Sequence, residues 1–228
     1  LSTLVFRERP AAGEPQGLLI LHHGRGADEH DLLTLADVLD PQRRLHVVTP
    51  RAPLELPSSS GYHWYLVPRV GYPDPGTFAA ARQALGGLHD ELWQRTGIAP
   101  ERTVLGGFSM GAVMSYVLGL DPERPEPGGI LAFSGFVPTV EGWEPDLAGR
   151  TGVRVFIAHG RRDQVISVDF ARAAAERLRE AGLAVEYRES DAGHHIDPRE
   201  IPAAGAWLDD TLERRPATGR AAGPPGAA

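Results

Sequence analysis

Apolar runs of strand length recur along the chain at residues 17–21 (Gly-Leu-Leu-Ile-Leu), 103–105 (Thr-Val-Leu), 129–133 (Gly-Ile-Leu-Ala-Phe) and 153–158 (Val-Arg-Val-Phe-Ile-Ala). Runs that do not alternate with polar residues are the pattern of strands covered on both faces. More mixed strands are predicted at residues 3–8, 45–49 and 183–188, the first an edge strand ended by Pro10. Helical spacing fills the intervals. Residues 31–39 place Leu32, Leu35, Ala36 and Leu39 on one face, with Pro41 beyond. Residues 77–93 repeat Phe78, Ala81, Leu85, Leu88 and Leu92, with Thr77 as the expected cap. Further helices are predicted at 112–120, at 169–181 with Gly182 closing it, and at 198–212 with Ile201, Ala204, Trp207, Leu208 and Leu212 inward. Strands alternating with helices predict an α/β fold: a mostly parallel central sheet with helices on both faces. No internal repeat is present.

Two stretches break the alternation. Residues 50–76 carry prolines at 50, 53, 57, 68, 73 and 75 together with Tyr62, Trp64, Tyr65 and Tyr72. A connection this long is functional or disordered, and its aromatics argue against disorder, so an irregular wall of a substrate pocket is expected here rather than a surface loop packing its own rings. Residues 216–228 are Pro/Ala/Gly-rich without hydrophobic pattern and are expected to be disordered, leaving residues 1–215 as one domain. No insertion is long enough for a separate lid domain.

Charge narrows the partners. The formal net charge of −7, with no block of basic residues, disfavours nucleic acid. The absence of cysteine excludes disulfides, thiolate metal sites and a cysteine nucleophile. Nine histidines occur, but none in an HExxH or comparable spacing, so no metal or other cofactor is expected. No apolar segment has the length of a bilayer span. The cytoplasm is the expected compartment, with a secreted mature form as the alternative; the oligomeric state, a homodimer included, stays open.

The chemistry concentrates at Gly107-Phe108-Ser109-Met110-Gly111. Chance supplies about 0.1 copies of a GxSxG frame in a chain of this composition, so context has to carry the assignment. An apolar strand precedes the frame and a helical run follows it, which is the setting of a nucleophile elbow: glycines leave out the Cβ atoms that would collide where strand meets helix. Ser109 is the candidate nucleophile. The Met110 N–H, at the helix start, is the first candidate for an oxyanion hole. A serine also needs a base and an acid to orient that base, and in elbow-type folds these follow in the order serine, acid, histidine. Asp163 and His194 each follow a predicted strand in that order. Singly they read equally well as a surface turn aspartate and an exposed loop histidine; together with the elbow they point to one site. His195 is the fallback base. His22 and His23 sit at the end of a buried strand, but adjacent histidines on an extended chain point to opposite sides and lack a third ligand, which argues against catalytic or metal roles.

His23-Gly24-Arg25-Gly26 with Asp28, the Gly107 to Gly111 elbow, His159-Gly160-Arg161-Arg162-Asp163-Gln164-Val165-Ile166, and Gly193-His194 followed by Pro198-Arg199-Glu200-Ile201 resemble the phospholipase/carboxylesterase family of α/β-hydrolases, which includes small bacterial carboxylesterases and acyl-protein thioesterases. The resemblance spans residues 17–212. It implies a triad of Ser109, Asp163 and His194 and an oxyanion hole from the backbone N–H groups of Arg25 and Met110. Position 25 is commonly apolar in the family; the arginine side chain here either clamps an acidic substrate group or points into solvent, the direction expected. Trp64-Tyr65-Leu66-Val67 resembles the family's Trp-Phe-Asp element without its aspartate. The expected activity is a serine carboxylesterase acting on small-molecule esters of short to medium acyl chain through an acyl-enzyme, with a small open pocket bordered by Trp64, Tyr65 and Phe136. A thioesterase, a lysophospholipase and a hydrolase of aryl or polymer esters share the same triad, and a non-catalytic ligand-binding homologue is the reading from another class.

Overall fold

A computed structural model of the protein describes residues 4–57 and 60–213; the predicted tail at 216–228 lies outside the described residues. Seven strands form one sheet: β1 (Phe6–Arg9), β2 (Gly17–His22), β3 (Leu45–Pro50), β6 (Thr103–Phe108), β7 (Gly129–Phe133), β8 (Arg154–Gly160) and β9 (Ala184–Ser190). Their spatial order is β1-β3-β2-β6-β7-β8-β9. β1 is antiparallel to β3, and every other pair is parallel. The central strands are buried along their length, as the unbroken apolar runs require, whereas β9, at an edge, alternates charged residues outward.

The period of two along each strand divides the core. Leu18 and Ile20 of β2, Leu105, Ile130 and Val155 face α2 (Pro75–Thr96), α3 (Met110–Gly119) and α4 (Val168–Glu180). Leu19, Leu21, Val104, Leu131 and Phe156 face α1 (Leu33–Leu39) and α5 (Ile201–Glu213). Of the inward positions expected on α5, Ala204, Trp207 and Leu208 are buried, and Ile201 and Leu212 are half-buried against the same cluster. Gly182 takes the positive φ expected of the residue closing α4. α3 is buried at every position, which explains why its sequence has no polar face.

Two expectations fail at the front of α2. The cap is Asp74, not Thr77. Pro75 supplies a fixed φ and lacks the N–H that would go unbonded, so the helix begins earlier, and Asp74 Oδ1 accepts from the Thr77 N–H at 2.9 Å and from its hydroxyl at 2.7 Å. The stretch 50–76 is not wholly irregular either. It holds a two-stranded antiparallel piece, β4 (Leu54–Glu55) with β5 (Tyr62–His63), because Pro53 and Pro57 flank the short ladder and leave its N–H groups free to pair. Tyr62 pairs in turn with the 24–27 loop, its carbonyl accepting from the Gly26 N–H at 2.8 Å and its N–H donating to Ala27 at 2.9 Å. The wall is thereby fastened beside the carboxyl ends of β2 and β6, where a parallel α/β sheet presents its ligand crevice. Among the described residues no helix is long and apolar enough to cross a membrane.

Candidate active site

Ser109 joins β6 to α3 with φ 55° and ψ −121°. A non-glycine residue in that region costs about 1–3 kcal/mol and persists only where its surroundings over-determine it. Here the Ser109 N–H donates to the Phe133 carbonyl at 2.8 Å, and the turn is compressed against the end of β2. A Cβ on Gly111 would lie 1.9 Å from the His22 carbonyl oxygen, and one on Gly107 would lie 2.6 Å from the Gly111 carbonyl carbon. Both glycines of the frame are therefore steric necessities. The serine hydroxyl is left at the floor of a pocket.

The loops after β8 and β9 deliver the partners. His194 Nε2 lies 2.9 Å from Ser109 Oγ, and its Nδ1 lies 2.7 Å from Asp163 Oδ2. A carboxylate accepts, so Nδ1 carries the proton and Nε2 is free to accept from the serine hydroxyl. Asp163 Oδ1 accepts from the N–H groups of Val165 at 2.8 Å and Ile166 at 2.9 Å. Burial pushes the Asp163 carboxyl up; the Ile166 N–H, the His194 ring and the Val165 N–H together outweigh it and hold the group below its ordinary value. Phe108 packs on the His194 ring at 5.0 Å between centroids, fixing its plane. His195 is exposed, and it is His194 of the pair that meets Ser109.

The pocket in front of Ser109 has a volume of about 760 Å³. Arg25, Met110, Tyr65 and Phe136 line it. Among the described residues the backbone N–H groups of Arg25 and Met110 have no hydrogen-bond partner. Trp64 was expected at the border and is not there. It is fully buried behind the wall, its indole Nε1–H donating to the His23 carbonyl at 2.9 Å and its backbone N–H to Met110 Sδ at 3.3 Å. An indole that must satisfy its N–H under a large apolar ring is drawn inward, and Trp64 thus braces both segments that carry those free N–H groups. The Arg25 side chain was expected to point into solvent; it is exposed but lines the pocket.

Other residues gain a place that sequence reading did not give them. His159 lies within β8 and is buried, with Nε2 2.9 Å from the Ile166 carbonyl and 3.3 Å from Asp163 Oδ2, the oxygen that also meets His194. Burial lowers its pKa. His63, Arg69, Val165 and Ile166 also line the pocket. The Asp163-x-Val165-Ile166 spacing could have announced an aspartate closed by its own following N–H groups; nothing in the local pattern announces His63. His22 and His23 lie buried at the end of β2: His22 Nδ1 meets Ser115 Oγ at 2.9 Å, and His23 accepts from the Ala52 N–H at 3.0 Å. Among the described residues Asp28, Glu29 and His30 come close enough to share a cation, but both Glu29 oxygens are taken by Arg51 at 2.5 and 2.6 Å.

Comparison with known proteins gives the family. A sequence model of the phospholipase/carboxylesterase family matches residues 9–212. Acyl-protein thioesterase 1 homolog 1 of Dictyostelium discoideum is 23% identical over 206 residues, covering 86% of this chain and 91% of that protein. The crystal structure of esterase PE8 superposes with a TM-score of 0.78 at 29% identity, covering 91% of this chain and 99% of the other. The carboxylesterase of Bacillus cereus shares the fold, with a TM-score of 0.80 at 23% identity over 92% of this chain and 95% of its own. A family match that runs from the end of the first strand into the last helix, over a parallel sheet of the same build, leaves one assignment: the chain belongs to the phospholipase/carboxylesterase family of α/β-hydrolases and is a hydrolase.

Proposed function

We propose that the protein is a serine carboxylesterase acting on short- to medium-chain esters, with Ser109 as nucleophile, His194 as general base and acid, and Asp163 as the group that fixes the histidine tautomer. The single observation that carries this reading is the unbroken chain of contacts from Ser109 Oγ through His194 to Asp163, at 2.9 and 2.7 Å. An ester carbonyl entering the pocket meets Oγ while Nε2 takes its proton. The negative charge that develops on the carbonyl oxygen is received by the Arg25 and Met110 N–H groups, and one such donor is worth about 10²–10³ in kcat. His194 then protonates the departing alcohol, leaving an acyl group on Ser109. Water attacks that acyl group with the same histidine as base, and the acid departs.

The wall formed by residues 65–73, rather than a separate domain, bounds the pocket, which supports small acyl chains over bulky lipid. A second reading, thioester hydrolysis at the same serine, is favoured by relatives named acyl-protein thioesterases. Initial rates on p-nitrophenyl esters from acetyl to palmitoyl, beside matched oxygen and sulfur esters and with Ser109→Ala as control, decide between them. Short-chain oxygen-ester turnover lost in Ser109→Ala supports the first reading. Preference for the thioester supports the second, and failure of a fluorophosphonate to label Ser109 refutes both.

A further inference from the structure

The charges facing the pocket run against those of the protein as a whole. The chain carries 30 carboxylates against 23 basic residues and contains no lysine. Many of its arginines are matched with acids: Arg51 with Glu29, Arg82 with Asp121, Arg124 with Asp90, Arg172 with Glu189. Arg25 and Arg69 are not. Among the described residues neither has a carboxylate partner, both line the pocket in front of Ser109, and no aspartate or glutamate lines it with them. An acidic protein that leaves two guanidinium groups unneutralised at one cavity holds a local positive potential there.

Both cations are placed rather than free-floating. The Arg69 guanidinium lies over the Tyr72 ring, 3.7 Å from its centroid, which holds the plane while leaving its N–H edge available. Its backbone is tied into a tight reversal: Tyr72 N–H donates to the Arg69 carbonyl at 3.0 Å, Thr139 N–H to the Gly71 carbonyl at 3.1 Å, and Asp74 N–H to the Leu66 carbonyl at 3.0 Å. Arg25 stands on the 24–27 loop fastened to Tyr62, near His63, whose pKa is lowered first by burial and then by the Arg25 charge. Much of the remaining lining is apolar, Val67, Val70, Phe136 and Val165 among it.

We propose that this pocket selects esters bearing a carboxylate beyond a short apolar stem, with Arg25 and Arg69 receiving that carboxylate while Ser109 attacks the ester. The inference rests on the hydrolase reading above and names its substrate class. A planar guanidinium edge matches a carboxylate with paired N–H donors, and an arginine without an internal acid partner has no salt bridge to break before it binds one.

The test compares esters that differ only in charge. On the acyl side the pair is mono-p-nitrophenyl glutarate and its methyl-masked diester; on the alcohol side it is the butyrate of 4-hydroxybenzoic acid and that of its methyl ester. For each pair the quantity read is the ratio of kcat/KM for the anionic over the neutral ester. The expected result is a ratio that falls about three- to fivefold in Arg25→Gln and in Arg69→Gln, and about tenfold or more in the double variant, as exposed charge pairs allow. The loss should appear on at least one side of the ester, which then identifies where the carboxylate sits. The wild-type ratio should also decline from low to 0.5 M salt, and Arg69→Glu should move it further in the same direction as Arg69→Gln. Ratios within twofold of wild type in the double variant for both pairs would overturn the proposal. Failure of the hydrolase reading is separately visible: calorimetry on Ser109→Ala with the glutarate monoamide and its masked counterpart needs no turnover. Tighter binding of the anion, lost with Arg69→Gln, supports the arginine site; equal binding of the two counts against it.

Discussion

Gly111→Ala probes the crossing of β2 against the start of α3. The added Cβ would fall 1.9 Å from the His22 carbonyl oxygen, 2.4 Å from the His22 carbonyl carbon and 2.6 Å from the His23 carbonyl oxygen. All three are backbone atoms, so no side chain can swing away. Restoring ordinary contact requires the end of β2 to retreat by roughly 1.3 Å or more, and Arg25 follows directly in the chain. An oxyanion donor works at about 2.7–3.1 Å, so a retreat of that size removes one of the two proposed donors, lowering kcat by about 10²–10³, or about 2.7–4 kcal/mol. Overpacking should cost a further 1–3 kcal/mol or so of stability, which lowers Tm by about 2–4 °C per kcal/mol in a chain of this size. Gly87→Ala is the matched control: it makes the same chemical change in the exposed middle of α2, with no heavy atom within 4 Å of the new Cβ. That variant should gain about 0.5–1 kcal/mol with kcat unaltered. The assay is kcat on a short p-nitrophenyl ester beside thermal unfolding of both variants. If Gly111→Ala keeps kcat within threefold of wild type and melts no lower, the described crossing is wrong.

Asp163→Asn should lower kcat by about 10³–10⁴ while KM stays within a few-fold, because the amide leaves the site's shape but releases the His194 tautomer; steady-state kinetics with a fold check by circular dichroism measures it. Trp64→Phe removes the donor to the His23 carbonyl and should cost about 1–2 kcal/mol by urea unfolding. Since Trp64 does not line the pocket, the effect on rate belongs in kcat; a change confined to KM would contradict its placement behind the wall. The Glu29 carboxyl is held down to about 2, first by the hydrogen bonds from Arg51. A depressed acid contributes stability above its unfolded pKa and loses it as pH falls through the folded one. The advantage of wild type over Glu29→Gln, about 1–3 kcal/mol at neutral pH, should therefore be intact above pH about 4.5 and shrink toward pH 2, as followed by urea titrations across that range.

The sheet was legible because its central strands are unbroken apolar runs, and a strand buried on both faces needs nothing else in the local sequence. β2, β6, β7 and β8 lie where those runs are, within three residues at their ends. The elbow was legible for a steric reason: two glycines around a serine are what the His22 carbonyl demands. Trp64 and Tyr65 show the limit. They are adjacent and aromatic, yet one faces the pocket and the other braces it, a choice made by the distant His23 carbonyl rather than by neighbours in the chain. The α2 cap was misplaced because Thr77 and Asp74 are both good caps, and Pro75, which decides between them, was read as loop punctuation. His159 was passed over because β8 runs beyond the apolar residues that marked it, carrying a polar ring to the acid.

Under this reading, the groups that break bonds and the arginines that read the substrate's charge occupy different parts of the chain. Ser109, Asp163 and His194 follow β6, β8 and β9, whereas Arg25, His63, Tyr65 and the turn carrying Arg69 precede α2. Only Arg25 belongs to both sets, its backbone to the first and its side chain to the second. A lineage can therefore rewrite one short surface segment, residues 66–73, and change what is cleaved while inheriting the cleavage machinery intact. Such an arrangement makes substrate choice a local trait, separable from the chemistry.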